Sequence, residues 1–113
     1  MNLEKIRKEL REFAKERDWE KFHTPKNLAS ALSVEAAELL EIFQWSKEGF
    51  KELKGKQRES IEDEIADILN YLIRLSDVCD INLEEVSLNK IKKNHQSYPV
   101  NLAKGNSKKY TDL

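Results

Sequence analysis

Glu35 stands inside an apolar helical face, and a carboxylate in that position restricts the folds open to this chain. On a wheel of about 100° per residue, Leu28, Leu32, Leu39 and Ile42 define one stripe, and Glu35 falls between them. Burying an unpaired charge costs several kcal/mol even after relaxation. A simple surface helix would turn such a residue outward, as this one turns Glu41. Glu38 follows at i,i+3, in the string EAAE. A later segment repeats the arrangement in EIAD, where Glu64 borders an expected core stripe of Ile61, Ile65, Ile68, Leu72 and Leu75. Asp67 lies farther round the same flank and Tyr71 one turn beyond it. Two helices packed through these faces bring four acids together. Unit charges about 5 Å apart repel by roughly 3 kcal/mol at an effective dielectric of 20, so the cluster needs cations or protons. An oxygen-only donor set without histidine or cysteine suits Mg²⁺, with Mn²⁺ as a substitute.

The rest of the chain is read around that pair of helices. Leu3, Ile6, Leu10, Phe13 and Ala14 give an amphipathic helix from about residue 3 to 18. Thr24 followed by Pro25 reads as an N-cap with proline at the first helical position, opening a helix that runs to about Trp45. The basic loop SKEGFKELKGK, punctuated by Gly49 and Gly55, reverses the chain, so the helix from about Gln57 to Val78 lies antiparallel to the one before it. Asn82 and Glu85 have capping-box spacing and open a fourth helix that Tyr98-Pro99 should end. No alternating strand pattern competes. The expectation is an all-α fold with a four-helix core in one domain over residues 1–113, its aperiodic tail at 100–113 ordered only by a ligand or a neighbouring subunit.

Composition narrows the setting. A chain of 113 residues makes one modestly stable domain, so self-association is expected. Lys and Arg, 20 together, nearly balance 21 Asp and Glu, which argues against general nucleic-acid binding. Cys79 is the single cysteine, no apolar run approaches a membrane span, and the N-terminus is unlike a secretory signal. A cytoplasmic protein is expected.

The acids have competing readings. Lysines such as Lys90, Lys92 and Lys93 would convert them into a structural ion network. A carboxylate-bridged di-iron bundle usually brings a Glu-x-x-His pair on each of two helices, whereas this chain has only Glu20-x-x-His23, in the connector, and His95 follows Lys92 at that spacing. An acidic helical module that binds a basic partner would turn the acids outward and weaken with salt.

The strings FAKERDWEKFHTPKNL, EAAELLEIFQW, EDEIADILNYLIRL, NKIKKNHQSYPV and KYTDL occur in that order over nearly the whole chain. They resemble the all-α nucleoside triphosphate pyrophosphohydrolases of the MazG-like superfamily, and particularly its small dCTP pyrophosphatase branch. The resemblance implies that Glu35, Glu38, Glu64 and Asp67 ligate Mg²⁺, and that a deoxynucleoside triphosphate, dCTP or a modified dCTP, is cleaved between its α and β phosphates. Glu35 or Glu38 would activate the water. Lys90 and Asn94, one turn apart, would face the phosphates or sugar, with Lys109 of the KYTDL tail a further phosphate candidate. Base selection would fall to Trp19, His23, Trp45 and Tyr71, while Phe22 and Phe43 are assigned to packing. dUTP and oxidised purine triphosphates are the alternative substrates. The resemblance also implies a homo-oligomer, a tetramer built as a dimer of dimers, to which Leu69 and Ile73 would add apolar surface left off the main stripe.

Overall fold

The computed structural model describes residues 1–46 and 53–113. Gly49 and most of the basic loop lie outside the described residues. Four long helices form, α1 (Leu3–Glu16), α2 (Pro25–Phe43), α3 (Lys56–Val78) and α4 (Leu83–Ser97), followed by the short α5 (Val100–Ala103). Two 3-10 turns, Glu20–Phe22 and Tyr110–Asp112, complete the chain, and no strand occurs among the described residues. The fold is therefore all-α.

Local chemistry explains the boundaries. The side chain of Asn2 accepts from the Lys5 N–H, that of Thr24 from Asn27 and that of Asn82 from Glu85, so three helices begin where a short polar side chain satisfies an orphan donor. Helix α1 stops two residues before the expected end because Asp18 turns left-handed, at φ 54°. Helix α2 stops at Phe43 instead of Trp45, where the Ser46 N–H and hydroxyl both bond to the Phe43 carbonyl. Gly55 opens α3 at φ 60°, a conformation that glycine adopts without steric cost.

The chain divides into two compact units, Met1–Asp80 and Ile81–Leu113. In the first, α3 packs on both α2 and α1. Its core comprises Ala14, Leu28, Leu53, Ile61 and Ile73. The α3 stripe differs from the expected one: Ile65 is 54% and Leu72 37% exposed, whereas Ile73 is buried. The reason is a second neighbour. One turn after Ile73, Asp77 receives two hydrogen bonds from Arg11 of α1, at 2.7 and 2.6 Å, so α1 occupies a flank that a one-neighbour stripe leaves to solvent. Ile73 therefore supplies no surface for a second copy. Phe22, assigned to packing, is 57% exposed instead, with the Lys21 ammonium 5.3 Å from its ring centre.

In the second unit, α5 and the last 3-10 turn give the tail regular structure, and Tyr98 meets Tyr110 edge-on at 6.2 Å. No helix among the described residues is long and apolar enough to cross a membrane.

Leu28 is 2% exposed, so Leu28→Ala removes buried methyl groups and leaves a void. It is expected to cost about 2–5 kcal/mol in a urea titration, far more than the same change at the exposed Leu40.

Candidate active site

The packing of α2 on α3 brings carboxylates from the two helices together. Oxygen atoms of Glu35, Glu64 and Asp67 lie within 4.8 Å of one another, with the two glutamates half-buried and Asp67 exposed. Glu38 is exposed and falls outside that group, although it is close enough to hydrogen-bond with Glu35. Oε2 of Glu35 and Oε2 of Glu64 are both buried without a hydrogen-bond partner. Two ionised carboxylates can only accept, so neither can satisfy the other. A proton solves this: Glu35 is pushed up to about 8, chiefly because its acid form hydrogen-bonds to Glu64, then because of burial and the nearby Glu38. A cation solves it equally well. The orphaned oxygens and the hard donor set together fit a divalent metal ion.

Tyr71 extends the site along α3. Its hydroxyl is pushed above the ordinary phenol value by burial and by the charges of Glu35 and Asp67, so it remains a neutral donor. Tyr71 and Asp67 line a cavity of about 480 Å³ with Phe13, Trp19, His23 and Asn70. The connector after α1 builds its aromatic wall, where Trp19 meets Phe13 edge-on at 5.7 Å and His23 at 6.4 Å. The left-handed turn at Asp18 allows this, since the Trp19 N–H then bonds back to the Ala14 carbonyl. The acid cluster and the aromatic cavity share Asp67.

Trp45 is 90% exposed and lines a different cavity with Ile42 and Leu53. Lys90 and Asn94 are exposed one turn apart on α4, and Lys109 caps the last 3-10 turn, all three in the second unit. Conversely, the cavity includes Phe13, read from the sequence only as part of the α1 stripe, and Asn70 and Arg74, which no pattern had singled out. Asn70 and Arg74 flank Tyr71 on α3, and their polarity at the flank where α1 packs was the available signal.

Residues 30–113 match the model of the MazG-like family. Over 114 aligned residues the chain is 44% identical to rat and mouse dCTP pyrophosphatase 1 and 43% identical to the human protein, covering 98% of this chain and 67% of each relative. A crystallised pyrophosphatase from Archaeoglobus fulgidus superimposes with a TM-score of 0.79 at 46% identity, covering 88% of this chain and 94% of that one.

Proposed function

The chain belongs to the MazG-like family, and on that premise we propose that it hydrolyses deoxynucleoside triphosphates to a monophosphate and pyrophosphate, with dCTP or a modified dCTP as preferred substrate. The observation that carries this reading is the sharing of Asp67 between the acid cluster and the aromatic cavity, which suits a ligand with a charged end and a flat, apolar end.

Glu35, Glu64 and Asp67 would hold Mg²⁺, with Glu38 beside Glu35 completing the acidic set. A divalent ion bound there supplies positive charge to the triphosphate and lowers the pKa of water. The protein's own groups do the rest. Glu38, the exposed acid outside the three-residue cluster, would take the proton from the attacking water, with Glu35, one turn before it on α2, holding the ion beside it. Trp19 and Phe13 give the base a stacking surface, a contribution of about 1–3 kcal/mol that is blind to base identity. Discrimination therefore falls to the polar groups of the same cavity, His23, Asn70 and the Tyr71 hydroxyl.

Lys90, Asn94 and Lys109 would bind phosphate or sugar, and Trp45 would contact the base, in an enzyme that works as a homotetramer. Val34 and Leu40 on α2 and Ile65 and Leu72 on α3 are among the exposed apolar residues available for such assembly. Removal of unwanted nucleotides in the cytoplasm is the role that fits this chemistry.

A panel of canonical and modified nucleoside triphosphates with Mg²⁺, assayed for monophosphate and pyrophosphate, tests reaction and substrate together. Preferential turnover of dCTP or its modified forms is expected; preference for dUTP or an oxidised purine would overturn the substrate assignment. Tyr71→Phe should alter the ratio of dCTP to dTTP turnover, whereas Trp19→Ala should weaken both substrates alike, and both variants should keep the metal requirement. If Tyr71→Phe leaves that ratio unchanged, its hydroxyl does not select the base.

A further inference from the structure

His23 receives a hydrogen bond on the ring nitrogen that decides its tautomer. Nε of Arg74 lies 3.1 Å from Nδ1 of His23. A guanidinium group donates only, and it keeps its protons throughout the working pH range. Nδ1 must therefore present a lone pair, and the single proton of the neutral ring sits on Nε2. A doubly protonated ring has no lone pair to offer. Burial, followed by the charge of Arg74, holds His23 below its ordinary value, which favours the neutral ring.

Arg74 is itself fixed. Its side chain is 11% exposed, and Nη1 lies 3.5 Å from Oδ2 of Asp77, which is 6% exposed. Asp77 is in turn clamped by the two bonds from Arg11, so a continuous line runs from α1 through Asp77 and Arg74 to the ring of His23. Such a line holds a ring more firmly than one exposed contact would. The base can meet the donor it sets, because His23 and Arg74 both line the aromatic cavity.

We propose that Arg74 is a positioning residue for base selection: it holds His23 as an Nε2–H donor, so the cavity favours a base whose ring nitrogen accepts a hydrogen bond. Cytosine offers such an acceptor at N3. Thymine and uracil carry a proton on that nitrogen, and two opposed donors leave a buried polar group unpaired. This role rests on the reading of the cavity as the base site.

The test combines a spectroscopic and a kinetic measurement. Long-range ¹⁵N–¹H NMR of the nucleotide-free protein should show His23 neutral with its proton on Nε2, and Arg74→Met should shift the ring to a mixture of tautomers. The same substitution should lower the dCTP to dTTP ratio of kcat/KM about tenfold, and adding it to His23→Ala should cause no further loss. Asp77 keeps both bonds to Arg11 in Arg74→Met, and Arg74→Gln provides a second variant of the same test. A proton on Nδ1 in the wild-type protein, or an unchanged tautomer in both Arg74 variants, would overturn the proposal. So would a ratio that falls in His23→Ala but not in the Arg74 variants. An unchanged ratio in His23→Ala would overturn the reading of the cavity as the base site, and the specificity role of Arg74 with it, even where the tautomer is as expected.

Discussion

Glu35→Gln, Glu38→Gln, Glu64→Gln and Asp67→Asn each lower turnover by at least about a hundredfold and leave the helical fold intact. Each exchange keeps the volume of the side chain and removes its charge, so packing between α2 and α3 is preserved while the attraction for a divalent ion falls. Glu35→Gln and Glu64→Gln should also raise the thermal midpoint of the metal-free protein. Each removes one of two buried carboxylates, and the new amide can donate to the oxygen left orphaned in the wild type. Steady-state rates with saturating Mg²⁺, read beside circular dichroism and thermal melts, check both statements. Wild-type activity in all four variants would sink the metal-site assignment.

The stability of the metal-free protein falls as the pH rises from about 5 to about 8. Glu35 is held up to about 8 in the folded chain against an ordinary 4.5, so across that interval the folded state keeps a proton that the unfolded state has released. Where the unfolded state binds fewer protons, stability declines with pH. Below about pH 4.5 both states are protonated and this loss is absent; above about pH 8 it is complete. Urea midpoints of metal-free protein at about pH 5, 7 and 9 should decline, while those of Glu35→Gln decline much less. Mg²⁺ should restore the high-pH midpoint of the wild type, because a cation replaces the missing proton. Parallel profiles for the two proteins would show that Glu35 is not the group responsible.

The helices were legible in the sequence because their signals are local. Thr24-Pro25 and Asn82 cap helices in the structure as their types suggest, and the spacing of Glu35, Glu64 and Asp67 within apolar stripes was enough to expect a convergence of acids. What escaped depends on how many neighbours a helix has. A single stripe through Ile61, Ile65 and Leu72 assumes one partner for α3, but α3 has two, which covers Ile73 and leaves Ile65 and Leu72 partly in solvent. The same omission hid the polar side of the aromatic cavity. Arg74 and Asp77 read as ordinary surface charges until α1 lies against them, and no local pattern links Arg74 to His23 across the connector that follows α1. Trp45 shows the opposite limit. An aromatic residue two turns beyond Glu38 looked contiguous with the acids, yet the end of α2 at Phe43 leaves it at a separate cavity.

The central claim is that Glu35, Glu64 and Asp67 hold a divalent ion that a nucleoside triphosphate shares. Mn²⁺ binding followed by electron paramagnetic resonance tests it directly, using wild-type protein and Glu64→Gln with and without an α,β-methylene analogue of dCTP that cannot be cleaved. The account predicts Mn²⁺ binding to the wild-type protein that tightens when the analogue is added, and loss of both binding and tightening in Glu64→Gln. Equal Mn²⁺ binding by the two proteins, or an affinity indifferent to the analogue, would contradict it.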